Sequence, residues 1–239
     1  MARVFITGSA DGLGLAVGQR LIEQGHEVVL HARSAARADD TRAAAPGAAD
    51  VLVGDLADEA QVRALAEAAN ASGRFDAVVH NAGVGSGGAA LTEVNVVAPY
   101  VLTALMTRPD RLVYLSSGMH RSGRADVHAL DRPSYGDTKL ADAALAAAVA
   151  RRWPEVRSNA VDPGWIATRM GGSGAPGSLD EGAATQVWLA TSDDPAALVS
   201  GRYLKDLREE QPAQGVTDES YQDALLAALE RRTGVPLPA

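Results

Sequence analysis

The stretch Val4-Phe5-Ile6-Thr7-Gly8-Ser9-Ala10-Asp11-Gly12-Leu13-Gly14 decides the fold. An apolar run of β-branched and aromatic residues makes a short buried strand. The three glycines behind it turn that strand into a helix through a loop that side chains would obstruct. A strand, glycine turn and helix in this order bring backbone N–H groups and the positive helix end to an anion, the geometry that supports a pyrophosphate. One glycine triplet is a weak signal, because glycines after apolar runs are common.

Five further motifs give it weight. Tyr135-Gly136-Asp137-Thr138-Lys139 opens a long Ala/Leu-rich stretch. On a helix, residues four apart share a face, so Tyr135 and Lys139 project together and the ammonium favours the phenolate. The ordinary alternative is a solvated surface pair. Between the two motifs, Asn81-Ala82-Gly83 follows the apolar run Ala77-Val78-Val79, Asn95 opens a helical segment, and Ser116-Ser117 ends the strand Leu112-Val113-Tyr114-Leu115. Asp162-Pro163-Gly164 ends another strand after Tyr135.

In this order the motifs resemble the short-chain dehydrogenase/reductase family, from Arg3 to about Tyr203. The spacing of Gly8, Gly12 and Gly14 is similar to the classical branch rather than the extended epimerase branch. Ser116-Ser117-Gly118-Met119-His120 and Ser200-Gly201-Arg202-Tyr203 look like the retinol-dehydrogenase and carbonyl-reductase type. The resemblance implies an α/β Rossmann fold, a doubly wound parallel sheet of about seven strands in the order 3-2-1-4-5-6-7 with helices on both faces.

The residues agree with that class. The 239 residues suit one large domain over 1–239, and a 46% hydrophobic share supplies a core rich in alanine. Strand-like and helix-like segments alternate: strands at Val4-Thr7, Glu27-Ala32, Asp50-Val53, Ala77-His80, Arg111-Leu115, Arg157-Val161 and Arg202-Leu204. Helices are predicted at Gly12-Gln24, Asp58-Ala71 and Ser134-Arg152, with a terminal helix over 218–233. Three stretches read as loops: Ala43-Ala49, Gly83-Ala90, and a glycine-rich, flexible substrate-side segment at 171–180.

There is no cysteine, so thiolate sites are excluded, and no His pair has metal-ligand spacing, so no metal is expected. A net charge of -8 argues against nucleic acid. No apolar run approaches the roughly 18 residues of a membrane span, and no leader precedes the first strand, so a cytoplasmic protein is expected.

The resemblance then implies roles. Gly8, Ser9, Ala10, Asp11, Gly12, Leu13 and Gly14 would line a nicotinamide dinucleotide's diphosphate and ribose; Asp55 and Leu56 would hold its adenine; Asn81, Ala82 and Gly83 would wrap its ribose. Pro163, Gly164, Ile166 and Thr168 resemble the nicotinamide clamp. Trp165 either borders the substrate or packs beneath the loop. Tyr135 would be the general acid/base and Ser117 would bind the carbonyl. Lys139 would hold the nicotinamide ribose, and Asn95 would join the proton relay unless it serves only as a helix N-cap.

The second strand ends His31-Ala32-Arg33-Ser34, with no acid for the ribose hydroxyls. Arg33, with Ser34 as a further donor, would pair with a 2'-phosphate, so NADP(H) is expected ahead of NAD(H). Asp11 would oppose that phosphate, and Arg33 as a solvated loop residue is the plain alternative. The expected activity is reduction of a small to medium carbonyl, or oxidation of the matching alcohol. A catalytically silent dinucleotide-binding redox sensor is the alternative. His80 reads as core, whereas His120 lies close enough to Ser117 to touch substrate. Between Asn95 and Ser117 there is room for only a brief helix, so a monomer or homodimer is expected ahead of the family's tetramer, with the alanines of Ser134-Arg152 free to meet a symmetry mate.

Overall fold

The computed structural model describes residues 1–239. Strands β1 (Arg3–Ile6), β2 (Glu27–Ala32), β3 (Asp50–Val53), β4 (Ala77–His80), β5 (Arg111–Leu115), β6 (Arg157–Val161), β7 (Tyr203–Lys205) and β8 (Arg208–Glu209) form one sheet in the order β3-β2-β1-β4-β5-β6-β7-β8. The first seven run parallel, and β8 returns antiparallel to β7. The expected order of seven is present, extended by an eighth strand of two residues, too short to carry a period-2 pattern. Asp206 and Leu207 make its turn at positive φ without a glycine.

Alternation along β1 explains how both faces are covered. Val4 and Ile6 join one core with Leu21, Leu30 and Val187; Phe5 joins the other with Tyr100, Tyr114 and Trp153. Helices α1 (Gly12–Glu23), α2 (Ala35–Ala44) and α7 (Leu179–Thr191) lie over the first core. The second is covered by α3 (Glu59–Ala71), by the run α4 (Ala89–Thr92), Glu93–Val97 and α5 (Ala98–Leu105), by α6 (Tyr135–Arg152), and by α8 (Gln214–Thr217) and α9 (Glu219–Thr233). No helix is long and apolar enough to cross a membrane.

Several boundaries differ from the sequence expectation. The stretch before Ala49 is helical to Ala44, because Ser34 caps α2 and i,i+3 pairs such as Arg37–Asp40 brace it. The glycine-rich segment stops before Ser178, which caps α7 in a box with Glu181, so residues 179 and 180 are the first turn of a helix.

The interval before Ser117 is not short of helix. Asn95 does not open a segment: it sits in a π turn, Glu93–Val97, in the middle of a helical run that begins at Ala89 and ends at Leu105. Nor are the alanines of α6 free, since residues such as Ala141, Ala144 and Ala148 are buried within the one chain, where α8 and α9 pack over the helix.

Candidate functional site

Parallel strands leave their carboxyl ends on one edge, and in this order the chain reverses direction between β1 and β4, opening a crevice there. The glycine loop after β1 is built by close approach. A Cβ on Gly8, whose φ is +60°, would stand 2.7 Å from the Ala82 Cα, and one on Gly14 would stand 2.4 Å from Asn81 Nδ2. Those absences let Asn81 Nδ2 donate to the Thr7 and Gly8 carbonyls, both at 3.0 Å. Asn81 therefore clamps the loop with its side chain, and its Oδ1 is buried without a partner. Gly14 is a packing residue.

Ser9 corrects a sequence expectation. Its side chain is fully buried, donates to the Ile6 carbonyl at 2.8 Å and accepts from His31 N at 2.8 Å, so it ties β1 to β2 and does not face the crevice. His31 completes that tie. Its Nδ1 accepts from Gly8 N at 2.9 Å and its Nε2 contacts the Gly54 carbonyl at 2.8 Å, which assigns the proton to Nε2. Burial lowers its pKa, against the pull of the Gly54 carbonyl and Asp55.

At the start of α1 the Asp11 side chain makes no capping bond to the helix. It is drawn instead to Arg37, Nη2 to Oδ2 at 2.8 Å, while Arg37 also donates to the Ala10 carbonyl and to Asp40. The first-turn N–H groups of α1 thus have no side-chain cap, the condition in which a helix end receives an anion. Gly12 at φ +53° lies against Thr168, whose Cγ2 would be 3.7 Å from an added Cβ. Leu13 and Ile166 both pack at the buried Gly182 in α7. The glycine loop and the Pro163–Thr168 segment therefore share one wall.

That segment is held by its own bonds. Asp162 Oδ1 accepts from Gly164 N, Ile166 bridges Gly177, and Thr168 Oγ1 accepts from Gly171 N at 3.1 Å. Trp165 donates from Nε1 to the Gly171 carbonyl at 2.9 Å and is 62% exposed, so it borders the opening and does not pack beneath the loop. Arg33 and Ser34 are exposed at the end of β2, where Ser34 caps α2. Asp55 accepts from Ala57 N, and Leu56 is buried in the core.

Tyr135 opens α6, fixed by the capping box of Ser134 and Asp137. Gly136 permits the segment after Ser117 to lie against this turn, since an added Cβ would stand 2.8 Å from the Met119 carbonyl. Ser117 itself caps a 3-10 turn, accepting from Met119 N at 3.2 Å. Lys139 is buried behind Tyr135, with Nζ 5.9 Å from the ring centre, and donates to the Leu115 carbonyl at 2.5 Å and to Asp142 Oδ2 at 3.1 Å. Asn95 Nδ2 donates to the Val84 carbonyl and to Thr138 Oγ1, each at 3.0 Å, and Thr138 donates to the Tyr135 carbonyl. Asn95 thus joins the loop after Gly83 to the turn that carries Tyr135.

His120 is fully buried, between the Ser117 carbonyl and Ala213 N and stacked on Tyr203, so it cannot touch substrate from there. His80 is core, as its place in the strand implied. Sequence reasoning missed His31, Arg37, Thr138 and Asp142. For Arg37 a signal existed, Ser34 three residues ahead as an N-cap, and for Asp142 the i,i+3 spacing from Lys139 on one helix; His31 and Thr138 depend on which strand or loop lies opposite.

The family profile described as short chain dehydrogenase matches residues 2–177. The chain belongs to this family. A similar curated relative, an uncharacterised oxidoreductase of Emericella nidulans, is 44% identical over 100% of the chain and 99% of its own length. Among solved structures, an uncharacterised protein of Mycobacterium paratuberculosis has a TM-score of 0.85 at 24% identity and is covered to 96% by 100% of the chain. A blue fluorescent protein from a metagenomic library, solved in complex with NADPH, has a TM-score of 0.72 at 26% identity, with 85% of this chain and 95% of that one covered. The short-chain dehydrogenase/reductase assignment makes the protein an enzyme of dehydrogenase/reductase type.

Proposed function

We propose that this enzyme uses NADP(H) to reduce the carbonyl of a small to medium organic molecule, or to oxidise the matching alcohol. The observation that carries the reading is the burial of Lys139 directly behind Tyr135 on one helix face at the carboxyl edge of the sheet. When bound, the nicotinamide supplies or accepts the hydride at the substrate carbon.

The residues fit such a cofactor. The uncapped first turn of α1 offers N–H donors to a diphosphate, while the Gly8 N–H is held by His31. Arg37 pairs with Asp11, the acid at the glycine loop that would repel a 2'-phosphate, and Arg33 is exposed after β2. With no carboxylate ending β2, these arginines favour NADP(H) over NAD(H). The metagenomic protein solved with NADPH supports the same cofactor class.

In reduction, Tyr135 gives its phenolic proton to the carbonyl oxygen while Ser117 donates a hydrogen bond that orients it. Lys139 stabilises the phenolate that remains. Asn95 holds Thr138 and the loop at Gly83, so it positions the turn from which Tyr135 reaches the substrate. Following NADPH absorbance with a panel of ketones and aldehydes tests the reading. Turnover that Tyr135→Phe removes without loss of NADPH binding is expected; binding with no turnover on any carbonyl would favour the redox-sensor alternative.

A further inference from the structure

We infer that Asp142 is a positioning residue for the Lys139 ammonium, one that balances its charge and so keeps Tyr135 in the protonated form that reduction requires. This rests on the proposed roles of Tyr135 and Lys139.

The geometry is that of a buried, closed pair. Lys139 and Asp142 side chains are 2% and 3% exposed, and Nζ lies 3.1 Å from Asp142 Oδ2. Two of the three ammonium protons are accounted for, by Asp142 and the Leu115 carbonyl. The side left open looks toward Gly83, where an added Cβ would be 3.5 Å from both Nζ and Asn95 Oδ1. Asp142 therefore fixes which way Lys139 points.

Stability alone does not explain this carboxylate. Its second oxygen, Oδ1, is buried with no hydrogen-bond partner, an arrangement that costs free energy that an apolar side chain would not. Its carboxyl is pushed up to about 6 by burial, against the pull of Lys139. The other groups facing the pair do not supply the balancing charge. From β5, Tyr114 is raised by burial and neutral; behind it on β4, His80 is lowered by burial to about 3 and neutral. Asp137, buried in the first turn of α6, is paired with Arg124, and Asp162 beyond β6 lies 3.7 Å from Lys205.

A lone ammonium behind Tyr135 would draw out the phenolate; an ammonium paired with a carboxylate draws it out less. Removing the charge of Asp142 should therefore make the phenolate form at lower pH. Four of the five tyrosines, Tyr100, Tyr114, Tyr203 and Tyr221, are buried and held up by that burial, which leaves Tyr135 to be read without overlap.

The test is an alkaline titration of phenolate absorbance on the full chain, alone and saturated with NADP+. Each protein is compared with its own Tyr135→Phe counterpart, so that the difference belongs to Tyr135. Asp142→Asn should move the Tyr135 step down by about one pH unit, a tenfold change in the phenolate equilibrium. Asp142→Glu, which keeps the charge, should return it toward wild type. Should Asp142→Asn fail to fold, Asp142→Ser removes the same charge with a smaller side chain. A Tyr135 step that does not move in the neutral variants, or moves equally in Asp142→Glu, overturns the inference. No substrate is needed: absence of turnover on every carbonyl defeats the functional proposal without touching this measurement, and an unmoved step defeats the inference without touching turnover.

Discussion

Arg37 lies across Asp11, its Nη2 2.8 Å from Asp11 Oδ2 and 3.3 Å from the Ala10 carbonyl. The pair is partly exposed and contributes little to stability by itself. Its consequence is electrostatic. A carboxylate beside the glycine loop would repel a phosphate, and Arg37, which also reaches Asp40 at 3.0 Å, offsets it.

Arg37→Ala should therefore weaken NADPH more than NADH, because it removes a cation and releases Asp11 in one step. A loss of about 1.5 to 3 kcal/mol is expected for NADPH, with NADH nearly unchanged. Arg33→Ala should act in the same direction. Combining Arg37→Ala with Asp11→Asn should recover part of the NADPH affinity. Parallel titrations of both cofactors check this, and equal losses for the two would remove the 2'-phosphate assignment.

Gly14→Ala tests the packing of the loop. The added methyl would stand 2.4 Å from Asn81 Nδ2 and 2.5 Å from the Gly8 carbonyl, and neither can retreat without breaking the Asn81 clamp. Overpacking of this kind costs about 1 to 3 kcal/mol. A lowered melting temperature together with weaker binding of both NADPH and NADH is expected; an unchanged melting curve would show that the clamp yields freely.

The strands and the glycine turn were legible because they depend on local pattern: β-branched runs, glycine spacing and N-caps lie within a few residues of one another, whereas the strand order was implied by the family resemblance. The juxtaposition of Tyr135 and Lys139 on one helix was legible for the same local reason, the two being one helical turn apart. What could not be read is set by which strand ends meet. Ser9 sits inside a motif expected to line a cofactor, yet its hydroxyl turns inward because His31 arrives beside it on β2. Asn95 looked like a cap because polar residues favour helix starts, but here its amide is satisfied by Val84 and Thr138, which lets it sit inside the helix. Asp142 is hidden by an alanine-rich helix, where only the tertiary structure shows that its side chain is buried.

Acid stability should depend on Asp137. Burial pushes its carboxyl up, but hydrogen bonds from the Arg124 side chain and backbone and from Ser134 outweigh this and hold it well below the usual carboxylate range. A group whose pKa is lower folded than unfolded adds stability above its unfolded pKa, about 3.9. That contribution is full at neutral pH and is lost as the pH falls below about 4 toward the folded value. Asp137→Asn should cost about 1.5 to 3 kcal/mol at pH 7 and flatten the loss of stability in acid, read from denaturation midpoints between pH 7 and pH 3. A variant as acid-sensitive as wild type would place that sensitivity elsewhere.

Assembly follows from what covers α5 and α6. Most of α6 is buried within one chain, and α9 contributes Leu225, Leu226 and Leu229 to that core. The end of the chain is also tied down: Tyr100 donates to the Val235 carbonyl at 2.7 Å, and Trp153 Nε1 donates to the Pro238 carbonyl at 2.8 Å. Faces already covered by the chain's own C-terminal segment offer little surface for a symmetric partner, which would need about 800 Å² a side. The protein should be monomeric at micromolar concentration, with a light-scattering mass near 24.7 kDa. Leu225→Asp together with Leu229→Asp should lift α9 and expose the alanines of α6, giving a lower melting temperature and concentration-dependent self-association. A wild-type mass near two or four times the monomer value would show that pairing uses another surface, and the argument from the covered helices would fail.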